Sequence, residues 1–387
     1  GYPLLLWVLV KIKYLWPGRP AGPVGENNPI LPVSLIIAAY NEEDIIEEKI
    51  KNCFELNYPA GQIEYIFITD GSTDATPAII SRYPRIRLLR IRLLHQPERK
   101  GKLAAMNRAV DHALYPCLIF SDANAFLNAD SIINMTRHYA CKKTGGVAGE
   151  KKILSDPAAG SVSRGEGLYW RYESALKKLD AQLYSAIGAA GELFSIRKDL
   201  YKKLPEHTII EDFVQSLYLC IDGYRVAYEP EAYSRETASL SVKEEMERKT
   251  RISAGGFQAM GMLKKLFNVF AYPVLSFQFI SHRVLRWTLC PLALLLLLPL
   301  SFALYGYGDI YAFGYGDIYA LALFAQLALY ALALAGLYCA HHQYRFKGFY
   351  VPFYFVMMNY CVFAGFARFL KKAQPVVWEK AGRKKSA

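Results

Sequence analysis

At 387 residues the chain has room for one large domain of about 200–250 residues, or two ordinary ones, and something more. It is 53% hydrophobic yet 21% charged, and segregation along the chain reconciles the two: nearly all the charge lies before about residue 255, and the long apolar runs follow residue 288. Disorder, collagen-like repeats and small disulfide scaffolds are excluded, leaving a soluble domain attached to a membrane.

The formal net charge of +12 raises nucleic acid as a partner. The placement of the cations argues against it. Lys11, Lys13, Arg19, Arg283, Arg286, Lys371, Lys372, Arg383, Lys384 and Lys385 flank apolar segments, as groups facing an anionic cytoplasmic leaflet do. The 7 cysteines are scattered, with no Cys-x-x-Cys and no histidine spaced to complete a zinc site. They read as reduced thiols, which places the soluble domain in the cytosol.

Residues 1–10 are apolar but too short to span a bilayer, and no small-residue cleavage site follows. They read as the tail of a transmembrane helix ending at the cytosolic face. Residues 17–32 are a linker by their proline and glycine content, so 1–30 is set apart from a soluble domain over 31–255. There, strand patterns at 33–40, 64–70, 86–94 and 117–124 alternate with helical patterns at 43–55, 74–82 and 101–113. This is an α/β arrangement with a mostly parallel sheet and helices on both faces. Such sheets bind ligands at the carboxyl ends of their strands. RIRLL occurs at 85–89 and again at 90–94, which leaves the register of the third strand open.

Residues 256–288 carry Lys264, Lys265, His282, Arg283 and Arg286 among aromatics, the pattern of interfacial amphipathic helices. Residues 289–305 and 318–340 read as transmembrane helices within a membrane region of 289–372. The loop between them holds a tandem GYGDIYA, with Asp309 and Asp317 and no Lys or Arg, so it is expected outside; the basic HHQYRFKG loop is expected inside. A span at 349–370 would put the basic tail, 373–387, outside. That segment also holds Pro352, Asn359, Gly365 and Arg368, so an interfacial or re-entrant helix and a cytosolic tail are the preferred reading.

The chemistry concentrates in AAYNEE (38–43), TDGSTDAT (69–76), RKGKLAAMN (99–107) and FSDAN (120–124), three of them at strand ends. Asp70 followed by Gly71 and Ser72 offers a carboxylate to a ribose or base and backbone N–H groups to an anion. Lys102 opens a helix, so its ammonium and the positive helix end both face a diphosphate. Asp122 and Asn124 place two oxygen ligands on one face of an extended segment, where a hard divalent cation bridges to phosphate oxygens.

Together these segments resemble the inverting family 2 glycosyltransferases, in particular the membrane-integrated branch with the cellulose, hyaluronan and poly-N-acetylglucosamine synthases. The resemblance covers about 31–255 by motif and the membrane part by layout. It implies a glycosyltransferase A-type nucleotide-sugar-binding domain, in which Ala39, Tyr40, Glu42 and Asp70 hold the uridine of a UDP-sugar. By the same resemblance Lys102 and Ala123 lie near the donor, while Asp122 and Asn124 hold Mg²⁺ or Mn²⁺ with the diphosphate. The family's catalytic base is the Asp of a Thr-Glu-Asp motif; here HTIIEDF supplies Glu211 and Asp212, with Ile210 at the Thr position. Inversion needs such a carboxylate to take the acceptor hydroxyl's proton, and the leaving nucleotide needs positive charge.

Two departures stand out. The second Asp of the family's metal motif is Asn124. The Gln-x-x-Arg-Trp motif of the processive synthases is reduced to Arg248-Lys249-Thr250-Arg251-Ile252, keeping Arg251 for a diphosphate but losing the sugar-stacking Trp. On the acceptor side, Glu192 hydrogen-bonds a sugar or pairs with an arginine, and Trp170 stacks a sugar or packs in the core. No GxxxxGK[ST] sequence is present, and the His341–His342 pair sits in a short basic loop. The implied activity is sugar transfer from a UDP-sugar to a hydroxyl of a polysaccharide or lipid-linked glycan. It is placed at the cytosolic face of a bacterial-type inner membrane, with accessory synthase subunits as further partners. Transfer to a polyprenyl phosphate is the first alternative, though an anionic acceptor needs no base. An inactive nucleotide-binding scaffold subunit is the second.

Overall fold

The computed structural model describes residues 1–15, 30–83, 90–154, 161–237, 241–308, 316–342 and 348–371. The first RIRLL copy, most of the 17–32 linker, Asp309, most of the HHQYRFKG loop and the 373–387 tail lie outside the described residues.

Eight strands form one sheet: β1 (Val33–Ala39), β2 (Ile63–Asp70), β3 (Arg90–Gln96), β4 (Cys117–Asp122), β5 (Phe126–Leu127), β6 (Thr144–Leu154), β7 (Phe194–Arg197) and β8 (Arg225–Thr237). Their order is β3-β2-β1-β4-β7-β6-β8-β5. The first four run parallel, as the alternating pattern requires, and β6 with β8 is parallel too. The short β7 is antiparallel to both its neighbours, and β5 is antiparallel to β8. The second RIRLL copy forms β3, with Glu64 opposite Arg90 and Asp70 opposite Gln96.

The apolar runs of β1 and β2 are continuous because both faces are covered, the pattern of a central parallel sheet. Ile36, Ile66 and Ile68 pack with Leu103, Met106 and Val110 on one face, and Leu35, Ile37 and Phe67 pack with Ile46, Ile50 and Cys53 on the other. The longer helices are α1 (Tyr2–Leu15), α2 (Ile46–Phe54), α3 (Lys102–His112), α4 (Ser161–Leu183), α5 (Glu211–Ile221), α6 (Val242–Met262), α7 (Leu289–Gly308), α8 (Gly316–His341) and α9 (Tyr350–Leu370).

Helix α6 continues through residue 255 and packs along α9. Gly365 makes that approach possible: a Cβ there would lie 2.6 Å from the Cβ of Ser253 and 2.8 Å from the Thr250 carbonyl oxygen. Among the described residues, Asp317–His341 and Tyr350–Leu370 are long and apolar enough to cross a membrane. Residues 289–305 meet that test only together with Pro273–Trp287, from which they bend by 47°.

Candidate active site

The parallel register sets β1, β2 and β4 level at their carboxyl ends: Ala39 lies opposite Thr69, and Ala38 opposite Asp122. The loops that leave there are tied to one another. Asn41, at φ +52°, presents its N–H to Ser72 Oγ at 3.2 Å, and its Oδ1 accepts from the Thr73 N–H at 2.8 Å. The Glu42 N–H reaches Thr76 Oγ1 at 2.8 Å. Asp70 is buried, and its Oδ2 accepts from the N–H groups of Lys100 (2.9 Å) and Gly101 (2.6 Å), while its Oδ1 has no partner. Gly71 is required by its φ of +67° and because a Cβ would lie 2.6 Å from that of Arg99. The Arg99 guanidinium in turn covers the Tyr40 ring at 3.6 Å.

A pocket of about 60 Å³ opens between these loops, lined by Ala39, Tyr40, Glu42, Asp70, Lys102, Asp122, Ala123 and Asn124, with Arg99. Gly71 and Ser72 stand beside it and serve the loop architecture. Beneath the Asp122–Ala125 turn, the fully buried Lys49 donates to Ser121 Oγ at 3.0 Å and to the Ala125 carbonyl. Burial lowers the pKa of this lysine.

Lys102 and Asp122 also face a much larger cavity, of about 930 Å³, which brings Trp170, Glu192, Glu211, Asp212 and Arg251 to the same space. Lys102 Nζ lies 2.6 Å from Asp122 Oδ1 and 3.8 Å from Glu211 Oε1. Burial disfavours its charge, but the carboxylates of Asp122, Glu211 and Asp212 outweigh burial and raise its pKa. Asp212 sits in the first turn of α5, where its Oδ1 accepts from the Phe213 N–H at 2.8 Å. Burial and the adjacent Glu211 push it up to about 7 against the pull of Lys102, with Glu192 adding to the rise. Gly191 keeps this junction open, since a Cβ there would meet Lys102 Nζ at 3.3 Å and Asp212 Oδ2 at 3.4 Å.

Glu192 pairs with a lysine, not an arginine. Lys151, 2% exposed, lies 2.5 Å from Glu192 Oε1 and 2.7 Å from Glu236 Oε2. Burial works against ionised Glu192, but Lys151 outweighs it and lowers the pKa; Glu236 is shifted up by its own burial. Trp170 faces the cavity with Lys151 5.2 Å from its ring, and its indole N–H is buried without a partner. Arg248, paired with Glu166 and Glu245, and Arg251 both stand on the cavity wall. Trp287 packs edge-on against Phe213 at 5.5 Å and over Gly256, so it shapes the wall behind Asp212.

Sequence reasoning missed Arg99, Lys49, Lys151 and Glu236. Arg99 had a signal, since it immediately precedes the Lys-Gly-Lys turn. A lysine within a strand pattern, as Lys151 is, must either face solvent or find a buried carboxylate, and nothing local says which.

Among the described residues no group of three or more His, Cys, Asp or Glu is arranged to hold a metal ion. The donor set nevertheless fits a hard cation shared with a substrate. One carboxylate and one amide oxygen, with Lys102 already neutralising part of Asp122, leave the remaining positions to phosphate oxygens, which is how Mg²⁺ is commonly held.

Comparison with known proteins bears on the family and the fold. Residues 34–204 match the family described as Glycosyl transferase family 2. The chain is 30% identical over 168 residues to a beta-monoglucosyldiacylglycerol synthase of Nostoc sp., covering 42% of this chain and 34% of that one. It is 23% identical over 273 residues to a poly-beta-1,6-N-acetyl-D-glucosamine synthase of Staphylococcus epidermidis, covering 67% of this chain and 65% of that one. The match thus spans about a third of the first relative and somewhat under two thirds of the second. The mannosyltransferase PcManGT of Pyrobaculum calidifontis, solved in complex with GDP-Man and Mn²⁺, shares the fold with a TM-score of 0.67 at 21% identity, over 96% of this chain and 95% of that one.

Proposed function

We propose, from the match of residues 34–204 to Glycosyl transferase family 2, that the chain transfers a sugar, with inversion, from a nucleoside-diphosphate sugar to a hydroxyl group at the cytosolic face of a membrane. UDP is the expected nucleotide. The observation that carries the reading is the position of Asp212: a carboxylate in the large cavity, beside Lys102, which lines both that cavity and the donor pocket, with its pKa pushed up to about 7.

The small pocket between the β1, β2 and β4 loops receives the nucleotide, with Asp70 at its floor and Tyr40 and Arg99 at its side. Asp122 and Asn124 would hold Mg²⁺ or Mn²⁺ with the diphosphate, and the ion would supply positive charge to the leaving group. Lys102 supplies charge at the same place from α3. The acceptor oxygen attacks the anomeric carbon while Asp212 takes its proton, and the carbon–oxygen bond to the diphosphate breaks with its electron pair leaving on the nucleotide. A base with a pKa near the working pH suits this step. In this reading Trp170, Glu192 and Glu211 serve the acceptor, and Arg251 serves the diphosphate.

Release of nucleoside diphosphate from the full chain in lipid nanodiscs, with Mn²⁺ or Mg²⁺ and a panel of UDP- and GDP-sugars, tests the reading. Donor-selective release that requires metal and disappears in Asp212→Asn supports it. Release unchanged in that variant would instead indicate a phosphate acceptor, which brings its own negative charge. Nucleotide binding without turnover would indicate a scaffold subunit.

A further inference from the structure

The large cavity extends far beyond the transfer site. Lys102, Asp122, Glu211 and Asp212 close one end; Tyr172, Cys290, Val351, Phe355, Met358 and Val362 wall the other. At about 930 Å³ it is near the upper end of the range for pockets that enclose a whole small molecule. Part of its apolar wall lies on α9, a helix long and apolar enough to cross a membrane, where Val351 is 52% and Phe355 49% exposed.

Several polar groups along this stretch are committed within the protein. Arg283 and Arg286 pair with Glu173, and Arg286 also donates to Tyr169 Oη at 2.6 Å. The Tyr354 hydroxyl donates to Glu245 Oε1 at 2.7 Å, and the Asn359 amide to the Phe355 carbonyl at 2.8 Å. A sugar chain lying here would lose its hydration to an apolar wall with few groups turned toward it, a desolvation cost of the ordinary kind. A phosphate headgroup would meet guanidinium groups already neutralised by carboxylates. An alkyl chain loses nothing, and each methylene buried there is favourable. At the polar end the Trp170 indole N–H, buried without a partner, is a donor for one headgroup oxygen.

We propose, building on the transferase reading above, that the acceptor hydroxyl belongs to an uncharged lipid whose alkyl chain lies in the apolar end of this cavity, along α9 and the 281–290 segment, with its headgroup beside Trp170 and Asp212. The acceptor then enters from the bilayer side and the nucleotide-sugar from the opposite loops.

The test uses the full chain in nanodiscs with the donor that gives turnover. Butyl, octyl and dodecyl glycerol ethers and dioleoylglycerol are compared with soluble gluco-oligosaccharides and with a polyprenyl phosphate. Label appearing in the organic phase, with kcat/KM rising roughly threefold or more per added methylene over part of the series, supports the proposal. So does Val351→Trp if it makes that rise level off at a shorter chain. Transfer to oligosaccharides at least as good as to the lipids, or no dependence on chain length in the unaltered chain, would overturn it while leaving the transferase reading intact. Preference for polyprenyl phosphate would overturn it as well. Absence of donor turnover with every acceptor would bring down the transferase reading, and this inference with it.

Discussion

The two halves of the sheet build their sides of the cleft by different means. On the proposed donor side, three neighbouring parallel strands end at one level, and the loops there are tied together by backbone N–H groups that donate to short side chains, as those of Lys100 and Gly101 do to Asp70. On the acceptor side, charged side chains far apart in sequence are buried against each other, as Lys151 is with Glu192 and Glu236, and Glu173 with Arg283 and Arg286. The first construction is local and follows from strand register. The second is electrostatic and exists only once the chain has folded. Asp212 stands where they meet, so its chemistry depends on both.

Breaking that meeting point is expected to have the largest effect. Asp212→Asn removes the proposed base and should lower turnover about 10²–10⁴-fold with donor binding retained, measured by nucleoside diphosphate release and nucleotide titration. In the unaltered protein the rate should rise with pH and level off above about 7, because the carboxylate form is the active one. The sign for stability is the reverse. A carboxyl raised in the fold stabilises while protonated, and that contribution is lost as pH rises through about 7. Asp212→Asn should therefore flatten the decline of Tm between about pH 4 and 7.

Next in size is the acceptor-side ion cluster. Lys151→Met leaves Glu192 and Glu236 facing each other in a buried place, at a cost of about 3–5 kcal/mol. Adding Glu192→Gln and Glu236→Gln should recover most of the lost stability, because no uncompensated charge then remains. Thermal unfolding of the single and triple variants decides it; equal Tm values would show that the cluster carries no such weight.

This contrast also explains what the sequence made legible. The strands at 33–40, 64–70 and 117–124, the Asp70 and Asp122 loops, Lys102 opening α3 and Asp212 opening α5 all rest on short-range patterns, and the fold bears these placements out. The antiparallel β7 did not show, because four residues carry too little pattern to set a direction. The lysine partner of Glu192 was hidden as well: Lys151 lies 41 residues away, and only the curl of β6 beside β8 brings it there. Glu192 was visible as a candidate acceptor contact or ion-pair partner, its environment was not. The third strand was legible as a strand but ambiguous in register, since either RIRLL copy satisfies the pattern.

On the donor side a smaller effect is expected from Asp70→Ala. It leaves the Lys100 and Gly101 N–H groups without their acceptor, which costs about 1–3 kcal/mol, or roughly 5- to 150-fold in nucleotide affinity where that turn forms the pocket floor. Calorimetric titration with UDP and GDP reads it. Unchanged affinity for both would place the nucleotide elsewhere and break the claim that strand register builds the donor site.

The smallest change concerns Asn124, the neutral member of the pair at the end of β4. Asp122 already shares its charge with Lys102 at 2.6 Å, so the protein alone presents a divalent cation with little net negative charge. Asn124→Asp adds a full charge at a partly exposed position, where charge is well screened. The gain in metal affinity should be several-fold, not orders of magnitude. It should be seen as a lower Mn²⁺ concentration for half-maximal turnover, and removal of metal with EDTA should abolish turnover in both forms. If the metal requirement is instead identical in the variant, the cation is held by Asp122 and phosphate oxygens alone. The amide at 124 then serves the turn, as Ala123 and Ala125 do, and the family's second aspartate is dispensable here because the substrate brings the charge.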